Sequence, residues 1–75
     1  QIWPNPTSGT VYFETRLESG SVELIGMDGR MVLRENFETS AFQMDLHELS
    51  SGVYLARVRD AQGQVMGTQK LVVED

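Results

Sequence analysis

Residues 50–59 of the 75-residue chain read Ser-Ser-Gly-Val-Tyr-Leu-Ala-Arg-Val-Arg, and this segment gives the clearest indication of the fold. After the glycine, Tyr54 and Ala56 fall on one side of an extended segment, whereas Arg57 and Arg59 fall on the other. Because side chains alternate between the two faces of a β-strand, the pattern predicts a strand with one buried and one solvated face. The serines and the glycine ahead of it are typical of a tight turn.

The same organisation recurs along the chain. Short runs rich in Val, Ile, Leu, Tyr and Phe alternate with Gly, Pro, Asn, Asp and Ser, which is the pattern of short strands joined by turns. No window carries a convincing helical stripe, and one buried face per strand favours two packed antiparallel sheets. The sequence therefore predicts an all-β fold, a small antiparallel β-sandwich of about seven strands. We place strands at residues 2–3, 10–16, 21–27, 30–36, 41–46, 53–59 and 64–73 of a single domain, 1–75.

Two of the turns have further signals. The Asp-Gly pair that ends at Gly29 lies between two apolar runs and is the strongest short hairpin signal in the chain. Residues 45–52 resemble one helical turn, with Asp45 as its N-cap and Gly52 as its left-handed end.

The N-terminal turn is the third strong turn signal. Pro4 and Pro6 fix the backbone on both sides of Asn5, and a residue before proline is pushed towards extended geometry. Thr7 can bond neighbouring backbone groups before Gly9 turns the chain into the first long strand.

Composition and charge exclude several classes of function. Eleven acidic against six basic residues give a net charge of -5, and the cations are spread along the chain, whereas nucleic acids require clustered Lys and Arg. No uncharged stretch is long enough to span a bilayer as a helix, so no transmembrane segment is expected. The chain begins with Gln1, which suggests a fragment of a longer protein. A domain this small leaves little room for a catalytic cleft beside its core, so the sequence argues against an enzyme.

The sequence offers little to catalysis or metal binding. His47 is the only histidine and cysteine is absent, so zinc lacks ligands, and no ordered run of carboxylates suggests a calcium loop. Asp45 and Glu48 lie near His47, but we interpret it as a solvated loop residue because closeness in sequence is not triad geometry. We therefore expect no catalytic residue, no metal ligand and no cofactor. Six glutamates are expected on outward faces and turns: Glu14, Glu18, Glu23, Glu35, Glu38 and Glu48.

Aromatic and sulfur-containing side chains allow two interpretations. Trp3, Tyr12 and Tyr54 would suit a sugar-stacking platform, but packing explains them more simply. The four methionines are expected to fill the core: Met27, Met31, Met44 and Met66.

Four segments resemble a known family. Residues 4–9, Pro-Asn-Pro-Thr-Ser-Gly, resemble the opening motif of the C-terminal sorting domain of the Por, or type IX, secretion system of Bacteroidota. Residues 24–32 are similar to its second block, residues 49–54 to its third and residues 70–73 to its terminal strand. Their order and spacing match the family over essentially the whole chain.

The resemblance implies a secretion signal with an immunoglobulin-like sandwich fold. It implies an N-terminal cargo domain that enters the periplasm and crosses the outer membrane to the surface or medium. The implied partners are the type IX translocon with its outer-membrane shuttle and a sortase-like cysteine protease. That protease removes the domain in many members and joins the cargo to an anionic lipopolysaccharide.

The matching positions identify candidate site residues. One set shapes turns and core: Pro4, Asn5, Pro6, Gly9, Gly29, Arg30, Gly52 and Tyr54. The last strand is the candidate for direct recognition, because an edge strand can pair with a receptor by adding a strand to the sheet; its residues are Lys70, Leu71, Val72 and Val73, within residues 64–75. Lys70 is also open to interpretation as an edge-protecting lysine. The alternative function is a glycan-binding or adhesion module of a secreted enzyme.

Overall fold

The computed structural model describes residues 1–74, and within them the chain forms seven strands and no helix. The strands are β1 (Ile2–Trp3), β2 (Thr10–Glu14), β3 (Gly20–Gly26), β4 (Met31–Phe37), β5 (Ala41–Asp45), β6 (Gly52–Asp60) and β7 (Val65–Val73). Every predicted strand is confirmed to within two residues at either end. It follows that the part of the chain described here holds no helix that could cross a membrane. Of the proposed domain 1–75, Asp75 lies outside the described residues.

The strands form two packed antiparallel sheets. One sheet has the order β1-β2-β5 and the other β4-β3-β6-β7. Lettered A to G in chain order, these are A-B-E and D-C-F-G, which is the immunoglobulin-type arrangement with its fourth strand paired in the opposite sheet. The predicted small β-sandwich is confirmed.

The core lies between the two sheets and follows the predicted alternation. Phe13, Phe37 and Phe42 form its aromatic centre, with ring centroids 4.9–5.8 Å apart. Tyr54 and Ala56 of β6 are buried as expected. The remaining buried hydrophobic residues are Ile2, Val11, Val22, Leu24, Met44, Leu46, Leu71 and Val73.

Three of the four methionines are not core residues, so that prediction was wrong. Met44 is buried, but Met27, Met31 and Met66 are more than half exposed. Met27 lies in the β3–β4 turn and Met66 at an irregularity in the β6–β7 ladder, so alternation did not assign either a face.

The Asp-Gly hairpin is confirmed as the connection from β3 to β4. The N–H of Gly29 donates to the carbonyl of Gly26 over 2.9 Å, and Gly29 has a φ of 85°, a left-handed conformation that favours glycine. Asp28 Oδ1 accepts a bond from the N–H of Arg30 over 3.1 Å. The loop is longer than the two-residue hairpin that the Asp-Gly pair suggested, and the β3–β4 register shifts next to it.

Residues 45–52 form a turn rather than a helix. A single bond, from the N–H of Leu49 to the carbonyl of Leu46 (3.0 Å), spans it, and Asp45 accepts from the N–H of His47 (2.9 Å). Gly52 has a φ of 156° and is the first residue of β6, so the predicted left-handed helix end was wrong. Leu46 is buried and Leu49 partly so, and anchoring the turn to the core gives it its shape.

The hydroxyl of Tyr54 holds this turn to the next strand. It donates a 2.6 Å hydrogen bond to the carbonyl of Ser50, four residues upstream, while the ring packs in the core. A tyrosine near the start of the sixth strand that bonds back in this way is the tyrosine corner of immunoglobulin-like sandwiches.

Candidate functional site

The N-terminal turn lies against the last strand, and the side chain of Asn5 makes the contact. Asn5 Nδ2 donates to the carbonyl of Lys70 over 2.8 Å, and the N–H of Val72 donates to Asn5 Oδ1 over 2.9 Å. One side-chain amide thus takes up the donor and acceptor positions that a neighbouring strand would occupy.

Thr7 continues the pairing by its backbone. Its N–H donates to the carbonyl of Val72 (2.9 Å), and its carbonyl accepts from the N–H of Glu74 (2.7 Å). These two bonds form an isolated parallel bridge between Thr7 and Val73. The Thr7 side chain is 2% exposed, and its hydroxyl donates to the carbonyl of Thr10. We call residues 5–7 in this position the clasp.

Prolines stand on either side of Asn5 and keep the clasp short of hydrogen-bond donors. Pro4 and Pro6 both follow cis peptide bonds, and neither has an N–H that needs a partner. Asn5 and Thr7 are therefore the residues of this segment that bond to β7.

The clasp divides the outer edge of β7 into two parts. The backbone groups of Val72 point outward, since they bond to the clasp, and backbone direction alternates along a strand. Thr68 therefore also directs its N–H and carbonyl outward, as Lys70 directs its N–H. No hydrogen bond within residues 1–74 occupies them. The clasp thus occupies the outward carbonyl of Lys70, both outward groups of Val72 and the N–H of Glu74, so the unpaired outward groups of β7 lie before Val72.

The unpaired part, residues 65–69, is the open edge. It faces β1 across a gap, which Gln69 spans with a long 3.4 Å bond to the carbonyl of Ile2. A groove of about 710 Å³, lined by Phe13, Val58 and Gly67 among others, lies beside it. Gly67 has no atom within 4 Å of where a Cβ would stand. An incoming strand would therefore find outward backbone groups next to accessible apolar surface.

The four residues of the predicted tail motif differ in accessibility. Leu71 and Val73 are buried in the core, so a partner has no access to their side chains. Lys70 is exposed and Val72 half-buried. Tyr54 stands opposite Leu71, and Gly52 opposite Val73. The first, third and last motifs thus meet at one end of the sandwich, while Gly29 and Arg30 lie in the separate β3–β4 turn.

Gly9 ends the clasp segment and meets the 45–52 turn. Its carbonyl accepts a 2.6 Å bond from the N–H of Leu46, and the His47 ring lies where a Cβ on Gly9 would stand. His47 Nδ1 contacts Asp45 Oδ1. The backbone N–H of His47, followed by its ring, lowers the pKa of Asp45. His47 is more than half exposed, as a loop histidine should be, and Gly9 is the residue that its ring covers.

One acidic residue departs from the prediction of a solvated glutamate. Glu23 is 7% exposed, and its Oε1 accepts from Arg57 Nε (2.7 Å) and Arg59 Nε (3.0 Å). The bond from Arg57 is the main cause of its lowered pKa, which burial opposes. Alternation correctly placed Glu23 on the outer face, but its burial depends on arginines 34 and 36 residues away.

Trp3 and Tyr12 are not core residues, although packing was the favoured interpretation. They are 40% and 45% exposed and pair across β1 and β2, with ring centroids 6.1 Å apart. They pack on each other on the outside of the three-stranded sheet.

Fold and contacts together define a class, a small immunoglobulin-like β-sandwich whose N-terminal turn is fixed to its last strand. Within the described residues no group of three His, Cys, Asp or Glu side chains is placed to hold a metal ion. A family model described as a secretion system C-terminal sorting domain matches residues 1–74, and the chain belongs to that family. No curated protein matches the chain.

Membership of the family gives the function. The domain is a C-terminal sorting signal for type IX secretion, and it implies an N-terminal cargo destined for secretion or the cell surface. The resemblance to this family is thereby confirmed.

Proposed function

We propose that the secretion machinery recognises this sorting domain in its folded state and that the open edge of β7 is the receptor contact. The clasp carries the proposal, because it bonds the first motif to the last. Bonds between residues 5 and 72 exist only when the sandwich is complete. A signal read as a linear tail would need none of them.

The open edge supports strand addition as the mode of contact. Thr68 and Lys70 direct unpaired backbone groups outward, and an extended receptor segment can bond to them as an added strand. The groove beside Gly67 would receive one of its side chains. The clasp limits the register, because a strand that pairs here must stop before Val72.

A pair of variants at Thr68 tests this contact. A reporter with an export signal at its N-terminus and residues 1–75 at its C-terminus is expressed in a host with a type IX system. Thr68→Pro removes the outward N–H and is tolerated on an edge, whereas Thr68→Ala retains it. We expect Thr68→Pro to hold the reporter in the periplasm and Thr68→Ala to be exported. Equal export of the two variants, with both domains folded, would overturn the edge contact.

We further propose the later steps that the family implies. The translocon and its outer-membrane shuttle receive the domain, which itself has no catalytic role. A sortase-like cysteine protease then removes it, and the cargo is attached at the surface. Family membership supports removal of the domain. The mass of the secreted reporter tests this: it should lack residues 1–75, and a reporter that retains them would contradict removal.

Glycan binding is the second candidate, favoured by the exposed Trp3–Tyr12 pair. The two rings and Gln43, which stands opposite Tyr12, form a row across the three-stranded sheet, and aromatic faces are a usual platform for sugars. A glycan array should then give saturable binding that Trp3→Ala and Tyr12→Ala abolish. An array without signal would remove this candidate.

A further inference from the structure

Four of the six basic residues of this acidic chain lie on one face. Arg34, Arg57, Arg59 and Lys70 all occupy outward positions of the four-stranded sheet, and we call this surface the basic face. Within the described strands, Glu23 is the only acidic residue at an outward position there. The net charge of the chain is -5, so the basic face has the opposite sign of charge to the rest of the molecule.

Strand register sets the geometry of the basic face. Arg34 on β4 and Arg57 on β6 stand directly opposite Glu23 on β3, from its two sides. Directly opposed residues share a face of the sheet, so the three side chains form one row. Arg59 follows in the next row of β6, and Lys70 lies opposite Leu55 in the row on the other side.

Glu23 also orients the arginines. It accepts from Arg57 through Nε, and within residues 1–74 no other bond engages the Arg57 side chain. The terminal Nη groups of Arg57 are therefore held in place and remain available. Arg34 is exposed and makes no ion pair with the described residues. A fixed guanidinium loses less conformational entropy when it binds than a mobile one.

An apolar row borders the charges. Ile25 stands opposite Leu55 on one side and Met31 on the other, and Leu55 and Met31 are 43% and 54% exposed. Arginine and methionine are both enriched at protein interfaces, whose buried centres are apolar. Extended polyanions suit the face less well, because they would also meet the negative charge on the rest of the chain.

We propose that the basic face docks an acidic surface of a partner protein, whose carboxylates pair with Arg34 and Arg57 while an aliphatic side chain packs against Leu55. Guanidinium groups bind carboxylates through two parallel hydrogen bonds. This contact is separate from the open edge, which lies at the side of the same sheet. One domain would then offer a specific strand pairing and a charged face that steers encounter.

A peptide titration followed by NMR tests the proposal on the 75-residue chain. The probe is the acidic amphipathic peptide Leu-Glu-Glu-Leu-Glu-Glu, and the comparison probes are its lysine counterpart and phosphatidylglycerol vesicles. We expect the acidic peptide to shift the Nε–H signals of Arg57 and Arg59 and the amides of the basic face, and added salt to weaken the binding.

Matched variants locate the contact. Arg34→Gln and Arg16→Gln each remove one exposed arginine, the first on the basic face and the second outside it. We expect Arg34→Gln to weaken binding by up to about fivefold, the effect of one exposed charge pair, and Arg16→Gln to leave it unchanged. Equal weakening by both variants, shifts scattered over the chain, no binding at about millimolar peptide, or binding to vesicles but not to the peptide would each overturn the proposal.

Discussion

At the residue scale, Asn5 links the two ends of the chain. Its amide carries both a donor and an acceptor, and both are used on β7. Aspartate would lose the donor, and glutamine is one carbon longer. The contact joins the first motif, which contains Asn5, to the terminal-strand motif, which begins 65 residues further along the chain at Lys70.

Replacing Asn5 should weaken the clasp. Asn5→Ala removes two hydrogen bonds, so we expect a loss of about 1–3 kcal/mol in the free energy of unfolding, measured by urea denaturation. The amide of Val72 should also exchange faster with solvent. Gln43→Ala, an exposed amide in no hydrogen bond with the described residues, is the control and should change stability by less than about 0.5 kcal/mol. A protected Val72 amide and an unchanged stability in Asn5→Ala would contradict the role of the clasp.

The ion pairs of Glu23 make the free energy of unfolding depend on pH. Arg57, then Arg59, holds its pKa below the ordinary value of 4.5, so the unfolded chain takes up its proton before the folded one does. The stabilisation is therefore complete above the unfolded value and is lost as the pH falls below 4.5 towards the folded value.

The Glu23→Gln variant checks this sign. It should lower the free energy of unfolding by about 1–3 kcal/mol near pH 7 and by less at an acid pH below the folded-state pKa of Glu23, because wild type has then lost the same ion pairs. Glu35→Gln changes an exposed residue of the neighbouring strand β4 and is the control. Its free energy of unfolding should fall on acidification as much as that of the wild type. Equal destabilisation by Glu23→Gln at both pH values would show that the ion pairs contribute nothing.

At the element scale, alternation and turn residues predicted most of the fold. Both are local signals: Tyr54 and Ala56 share a face because they are two residues apart, and Gly29 marks its own turn. The clasp has no such signal, because Asn5 pairs with backbone groups from a distant strand. For the same reason the sequence correctly identified the motifs at the two ends but did not predict that they touch, or that this contact covers part of the β7 edge.

The tyrosine corner connects two elements, the 45–52 turn and β6. Tyr54→Phe retains the ring in the core and loses only the bond to the Ser50 carbonyl, so we expect a loss of about 1 kcal/mol in stability, seen as a lower thermal midpoint. Tyr12→Phe removes a hydroxyl that bonds to none of the described residues and should leave the midpoint in place. If the two variants have the same midpoint, the corner does not stabilise the turn.

At the scale of the whole molecule, the small size of the domain agrees with its function. A core of twelve buried hydrophobic residues occupies the space between the sheets, and the features that distinguish the molecule lie on its surface. These are the open edge of β7 and the basic face. Under the proposed recognition of the folded domain, the sorting signal presents these surfaces, and the clasp makes the edge conditional on folding.

Export of a reporter whose sorting domain is unfolded, with every motif intact, tests whether the secretion machinery recognises the folded domain. Ala56 is 0% exposed and lies outside all four motifs, so Ala56→Asp buries a charge in the core and should unfold the sandwich. Ala61→Asp makes the same change in the exposed β6–β7 turn. We expect the Ala61→Asp reporter to reach the surface or medium and the Ala56→Asp reporter to stay in the periplasm. Export of an unfolded Ala56→Asp domain at the level of Ala61→Asp would contradict recognition of the folded domain.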